Sequence, residues 1–367
     1  MRIENNSSTG NYFLGKYNLL TGNFKKAREY FISISMDPPA YQFNKEKEKY
    51  FKHLISLFEK EKLYEFTIEF GKLALKVCES ASEFYLDGIS YNSLKIDNFE
   101  ESYLALTKLF QISKDKSLLK ETLGRFVSDL CEKERVEVLC EFSFKGEMTN
   151  MINELLEEYA KNTDPMLQPN YYKIGYSFNV YKNNFRKAAS MIYDYADVLR
   201  TESSVHALQE EVNAYLSAIN ALKLVNPEDA WLLNSKPPSK KIHFRFEQPT
   251  QIVQQKKPEK KISILDLEKN YLLCLSILKL HYIQHPNVDQ IGPRLSAKEY
   301  FNLLVRNQLF NLAFSLAKIF EFDLSPVFEE ITRKCLLDLP IDDSINDWSD
   351  PSHSINQNLT NWKLLER

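Results

Sequence analysis

A short pattern recurs along this chain and confines it to a few folds. An apolar or aromatic helix end is followed by Gly, Asn or Asp, then by Phe, then by a small residue three positions on. Its copies run through Tyr17, Gly22, Phe24 and Ala27; Tyr91, Asn98, Phe99 and Ser102; Phe178, Asn183, Phe185 and Ala188; and Leu303, Phe310 and Ala313. A weaker copy lies at Tyr64 and Thr67. Gly22, Asn98 and either Asn183 or Asn184 suit the end of one helix in the left-handed region or the cap of the next. The Phe seats the second helix on the first. Ala27, Ser102, Ala188 and Ala313 fall one turn later on the same face, where a small side chain admits a close neighbour.

These helix pairs resemble the small-and-aromatic signature of tetratricopeptide repeats. Their second helices start at Phe24, Tyr64, Phe99, Phe185 and Phe310, however, without the fixed ~34-residue period of true arrays. The expected fold is therefore all-α: an irregular α-solenoid of stacked helix pairs, tetratricopeptide-like in places, each pair touching mainly its neighbours. Nine glycines in 367 residues, against an average of ~7%, leave little provision for sheet. Apolar periodicity predicts helices over 11–20, 24–35, 44–59, 62–78, 83–95, 99–111, 116–131, 133–142, 148–161, 170–182, 185–201, 205–225, 264–284, 296–307, 310–320 and 326–337.

One discontinuity interrupts this pattern. Residues 234–261 combine Pro237, Pro238, Pro249 and Pro258 with a run of Lys and Arg and no periodicity, which predicts a flexible, disordered basic insertion. A solvated linker is the plain reading, beside an import signal or a nucleic-acid or membrane tether. Within it, Ile242–Phe246 alternates like a short edge strand or docking peptide. The chain divides accordingly into a solenoid over 1–233, the insertion over 234–261, a further helical segment of the same solenoid over 262–337, and a polar tail with a partial helix over 338–367.

The chemistry-bearing motifs are few. A net charge of −3 gives no field that would gather nucleic acid. Five scattered cysteines without a CxxC read as buried thiols in a reducing compartment. Neither a Gly-rich phosphate loop nor a GxSxG elbow occurs. His281 and His285 share a helical face but lack a third ligand, and Pro286 ends the helix there. No catalytic residue, cofactor or metal is expected, and the chain does not read as an enzyme. Aromatic side chains are the remaining candidates. Tyr172, Tyr181, Tyr215, Trp231, Phe310 and Phe328 are protein-interaction candidates if exposed and ordinary core if not.

A longer stretch then points to a family. Tyr171, Tyr172, Tyr176, Phe178, Tyr181, Asn184, Arg186, Lys187, Ala188, Ala189, Met191, Tyr193, Tyr195 and Ala196 form one block. Leu208, Gln209, Asn213, Tyr215, Leu216, Ala218, Ile219, Asn220, Leu222, Pro227, Glu228, Ala230 and Trp231 form the next. Together they resemble the signature region of the large Y-complex nucleoporins, the 160-kilodalton type of vertebrates and the 120-kilodalton type of yeast. Ile264–Lys269, Leu303–Leu316 and Leu324–Glu329 continue the likeness, and Tyr12–Gly22 fits an upstream helix–turn–helix.

The resemblance implies a structural scaffold in the outer ring of the nuclear pore complex, at the nuclear envelope, supporting mRNA export and protein transport. Its partners would be other Y-complex nucleoporins, docked on helices 170–225 and 296–337 with Trp231, Phe310 and Phe328 as anchors. Neither a small-molecule substrate, nor nucleic acid, nor membrane insertion is expected. Nothing in the sequence alternates like the family's β-propeller blades, so the expectation is the C-terminal solenoid part of a larger protein, or a shortened copy. A tetratricopeptide-like adaptor or a vesicle-coat or tethering solenoid is the alternative.

Overall fold

A computed structural model describes residues 4–44, 46–233, 261–285 and 287–336. The expected insertion (bar its last residue, 261) and the expected tail with its partial helix lie outside these residues. Within them the chain is almost wholly helical and divides into two compact units, 1–155 and 156–367.

In the first unit the helices are α1 (Glu4–Leu20), α2 (Phe24–Ser33), the single turn α3 (Ala40–Phe43), α4 (Lys47–Lys60), α5 (Tyr64–Val77), α6 (Ser82–Lys95), α7 (Phe99–Ile112), α8 (Lys116–Glu132) and α9 (Val136–Glu141). Helix α10 (Glu147–Asn162) runs across the division. The second unit continues with α11 (Tyr171–Tyr181), α12 (Phe185–Leu199), α13 (Val205–Leu222), α14 (Ile264–Gln284), α15 (Ala297–Arg306), α16 (Phe310–Phe320) and α17 (Ser325–Leu336). Helix stacks on next helix through α4–α7 and again through α11–α14, the neighbour-on-neighbour packing of an α-solenoid. Among the described residues no helix is long and apolar enough to cross a membrane.

The recurring sequence pattern folds into a recurring corner. Gly22, Lys62, Asp97, Glu134, Asn183 and Gln308 all adopt the left-handed conformation, with φ between 56° and 78°. Each stands two residues before the next helix. At the first corner the Asn23 amide donates to the Asn18 carbonyl at 2.7 Å and the Gly22 amide to Leu19 at 3.2 Å. The same pair of bonds recurs at every corner: Leu63 to Phe58 with Lys62 to Glu59, Asn98 to Ser93 with Asp97 to Leu94, Arg135 to Leu130 with Glu134 to Cys131, Asn184 to Asn179 with Asn183 to Val180, and Leu309 to Leu304 with Gln308 to Val305. This is the Schellman helix end, which satisfies orphan carbonyls with backbone amides. At the second full copy the left-handed residue is Asp97, and Asn98 instead caps α7 by accepting from the Glu101 amide at 3.2 Å. Asn183 takes that conformation at the third copy, and Asn184 makes no side-chain cap.

The small residues sit where the pattern requires. Ala27, Ser102, Ala188 and Ala313 are completely buried. Facing glycines bring the paired helices closer still. A Cβ on Gly15 would lie 2.7 Å from the Phe31 ring, one on Gly71 2.9 Å from Ile89, and one on Gly175 would overlap the Met191 thioether. Aromatic side chains fill the first core: Phe31 and Phe58 meet edge to face at 6.0 Å, Phe58 stacks on Phe70 at 5.1 Å, and the Tyr50 hydroxyl donates to the Phe31 carbonyl at 2.7 Å.

One short piece of sheet was not expected. Trp231–Leu233 (β1) pairs antiparallel with Lys261–Ser263 (β2), with Leu233 opposite Lys261. Ser263 then caps α14 in a reciprocal capping box with Asp266, as Ser296 and Glu299 do for α15. Between those helices, residues 287–296 are strapped to α13. Val205 donates to the Asp289 carbonyl at 3.1 Å and Ile291 to Ser203 at 2.8 Å. Arg294 closes the strap by gripping fully buried Glu211 with two nitrogens, at 3.1 and 2.5 Å, while the Cys274 thiol donates to the same carboxylate at 3.2 Å.

Candidate protein-interaction surface

The six aromatic candidates separate by burial. Tyr172, Tyr215 and Phe310 are interior, at 7%, 2% and 1% exposure. Tyr172 stacks on Tyr195 at 5.6 Å, and burial followed by Asp194 raises its hydroxyl above the ordinary tyrosine range. Burial likewise raises Tyr215, with Cys274 and Glu211 adding to the effect. Phe328 is half-buried against Phe314 at 5.6 Å. These residues hold helices together, and those in the interior present nothing to a partner. Tyr181, at 58% exposure, reaches the surface, as does Trp231, half-buried like Phe328.

Helix order puts Tyr181 and Trp231 on the same edge of the second unit. Since α11, α12, α13 and α14 alternate in direction, the end of α11, the start of α12, the end of α13 and the start of α14 all come to that edge. The ribbon lies there against α12. The Arg186 guanidinium sits 3.7 Å over the Trp231 ring while its Nε donates to the Trp231 carbonyl at 3.0 Å, and the Lys261 ammonium lies 4.3 Å over the same ring. Two cations on one indole fix both strands of the ribbon to α12.

Around this post the edge is apolar and uncovered. Leu224, just past α13, is 64% exposed; Leu265, in the first turn of α14, is 49% exposed; and Leu233, the outward residue of β1, is 42% exposed. The inward residues Leu232 and Ile262 are buried. Lys223 ties the two helix ends together through Glu268 at 3.4 Å. Among the described residues neither Arg186 nor Lys261 has a carboxylate in salt-bridge range. The edge thus offers leucine and aromatic surface, a preset indole and cations free of acidic partners: the composition of a protein-binding patch, enriched in aromatic residues and Arg.

The sequence marked Tyr181 and Trp231 by residue type and missed the leucines. Leu224 and Leu265 continue the apolar periodicity of their helices, so each reads as core until the neighbouring helix is known to stop short of it. Nothing in residue type announced the ribbon that turns Leu233 outward. His281 is absorbed structurally, donating through Nε2 to the Val288 carbonyl at 2.6 Å.

Two family models match this chain, the NUP160/120 middle TPR over residues 2–224 and the Nup160 C-terminal TPR over residues 263–357. The ribbon lies at the junction, its first strand between the two matches and its second ending at residue 263, where the latter begins. Among curated proteins the chain is 28% identical to mouse "Nuclear pore complex protein Nup160" over 89% of its length. It is 27% identical to "Nucleoporin NUP120" of Chaetomium thermophilum over 52% of its length, and 25% identical to Arabidopsis thaliana "Nuclear pore complex protein NUP160" over 84%. The mouse match spans 24% of that protein, the fungal match 16% and the plant match 23%, so the chain corresponds to about a quarter or less of these relatives.

Proposed function

This chain belongs to the Nup160/Nup120 family of nuclear pore proteins, and from that membership we propose that it is a structural scaffold of the pore's outer ring at the nuclear envelope. It acts by binding other α-solenoid nucleoporins of the Y-complex and not by catalysis, and so supports mRNA export and protein transport. The observation that carries this reading is the pair of family matches, which together cover nearly all of the described residues. The leucine-rich edge around Trp231 supports it with a surface of suitable chemistry. The helices at 170–225 supply part of that edge, beside the ribbon and the first turn of α14. The stretch 296–337 belongs to the same reading as a second docking region, and the 234–261 insertion, bar Lys261 of the ribbon, as a solvated linker between two parts of one solenoid.

The test is affinity purification of the tagged chain from its own cells, beside a Leu233→Asp/Leu265→Asp variant, with co-purifying proteins identified by mass spectrometry. Y-complex nucleoporins should come down with the unaltered chain and fall away with the variant. Recovery of vesicle-coat or tethering subunits in their place would overturn the scaffold reading. Nucleoporins retained equally by both would keep the scaffold and remove the edge from it.

A further inference from the structure

Glycine in the middle of a helix weakens it relative to alanine and usually has a packing reason. Gly15, Gly71 and Gly175 have one, since a Cβ there would strike a neighbouring side chain. Gly88, in the middle of α6, does not: a Cβ built on it meets nothing within 4 Å. It opens instead onto a groove of about 210 Å³ in the first unit, walled by Ile55 and Glu59 of α4, Thr67 of α5, Phe84 and Tyr91 of α6 and Arg125 of α8.

The walls are organised. Phe84, Gly88 and Tyr91 share one face of α6 by their spacing, and the two rings remain 49% and 38% exposed with the glycine notch between them. Cations stand over both rings, Lys52 at 5.1 Å from Phe84 and Lys95 and Arg125 at 4.9 and 5.6 Å from Tyr91. The acids of the groove already have partners. Glu59 accepts from the Asn92 amide at 2.9 Å, and Asp87 accepts from Thr122 and from Nη2 of Arg125. Arg125 is not fully used: Nη2 serves Asp87 and Thr122, while its Nε is buried with no hydrogen-bond partner. The side chain as a whole nonetheless stays 33% exposed, which leaves its outer nitrogens open to a further acceptor.

We propose that this groove binds an amphipathic helix of a partner protein, which lowers a leucine or aromatic side chain onto Gly88 between Phe84 and Tyr91 and sets a carboxylate on Arg125. The volume is below the ~300 Å³ at which small-molecule pockets begin, and so suits one anchoring side chain and not a cofactor. Helix-in-groove recognition supplies such an anchor, and a guanidinium with unspent donors selects an acidic residue beside it.

Gly88→Leu provides the test, because it fills the notch with a better helix former and leaves the core untouched. A displayed library of helix-forming peptides is selected on the full chain, and the binders are measured on the full chain and on Gly88→Leu. Thermal unfolding should show the variant at least as stable as the original. Binders should share an apolar anchor with Glu or Asp one turn away. They should lose at least about tenfold in affinity on Gly88→Leu, and about tenfold when that Glu is changed to Gln, ~1.4 kcal/mol in each case. A selection yielding no such binder, or binders indifferent to Gly88→Leu or to the loss of their carboxylate, would overturn the proposal.

Discussion

Glu211 is a carboxylate with no exposure to water, held by a guanidinium that reaches in from residues 287–296. Removing one partner of a buried pair strands the other charge, at a cost of ~3–5 kcal/mol. Arg294→Ala should therefore lower stability by about that much in urea unfolding, whereas Arg294→Met combined with Glu211→Leu should restore most of it, since two apolar groups leave no charge unpaired and only the weak Cys274 thiol donor without its acceptor. His53 provides a pH-dependent contrast. Burial, then Lys16 and Lys60, hold it below the usual histidine value of 6.5, and its Nε2 shares a hydrogen bond with the Tyr12 hydroxyl at 2.9 Å. The unfolded chain takes up this proton near pH 6.5, before the folded chain does. The contribution is thus intact above pH 6.5 and lost as pH falls toward the lower folded value, at no more than ~1.4 kcal/mol per pH unit. His53→Gln should flatten the fall of the urea midpoint between pH 6.5 and 5. Neither pair was legible in the sequence. Glu211 looks like any carboxylate on a helix's polar face, and its partner follows 83 residues later. Tyr172, Tyr215 and Phe310 show the same blindness from the other side: residue type says that an aromatic matters, but burial decides to whom.

At the scale of elements the sequence was far more readable. The helices predicted over 264–284 and 310–320 form with those bounds, and the other boundaries mostly shift by one or two residues. Apolar periodicity survives any tertiary context that keeps the same face inward. The corners were half legible. Gly22 and Asn183 advertise the left-handed conformation by type; Lys62, Glu134 and Gln308 do not, and they adopt it because the backbone bonds around them require it. Each of these three bears a Cβ penalty that glycine would relieve. Gln308→Gly should accordingly raise stability by ~1 kcal/mol, read as a higher urea midpoint at unchanged slope. Ala313→Leu, one corner residue further in, should lower it by ~1–3 kcal/mol, because α16 has no room there against its neighbours.

For the molecule as a whole, the ribbon is the element with the widest reach. It sets Leu233 opposite Lys261, so these two positions, 28 apart in sequence, lie side by side in the second unit, pinned by Trp231 under two cations. Replacing residues 234–260 with an Asn-Gly turn should preserve the helical circular dichroism spectrum and raise the stability of this unit by ~1–2 kcal/mol, since closing a shorter loop costs less entropy. Loss of cooperative unfolding in that variant would mean the ribbon does not bear the join. The corners carry a different consequence, one of descent. Their bends are held by main-chain amides and carbonyls, which every residue but proline supplies, and they ask little of side chains beyond one left-handed position and one small one. A lineage can therefore exchange most of the residues around such a bend without losing it. The mouse and fly relatives, named as Nup160 and a Nup160 homolog, are only 28% and 22% identical to this chain, a divergence that a corner written in the backbone would tolerate.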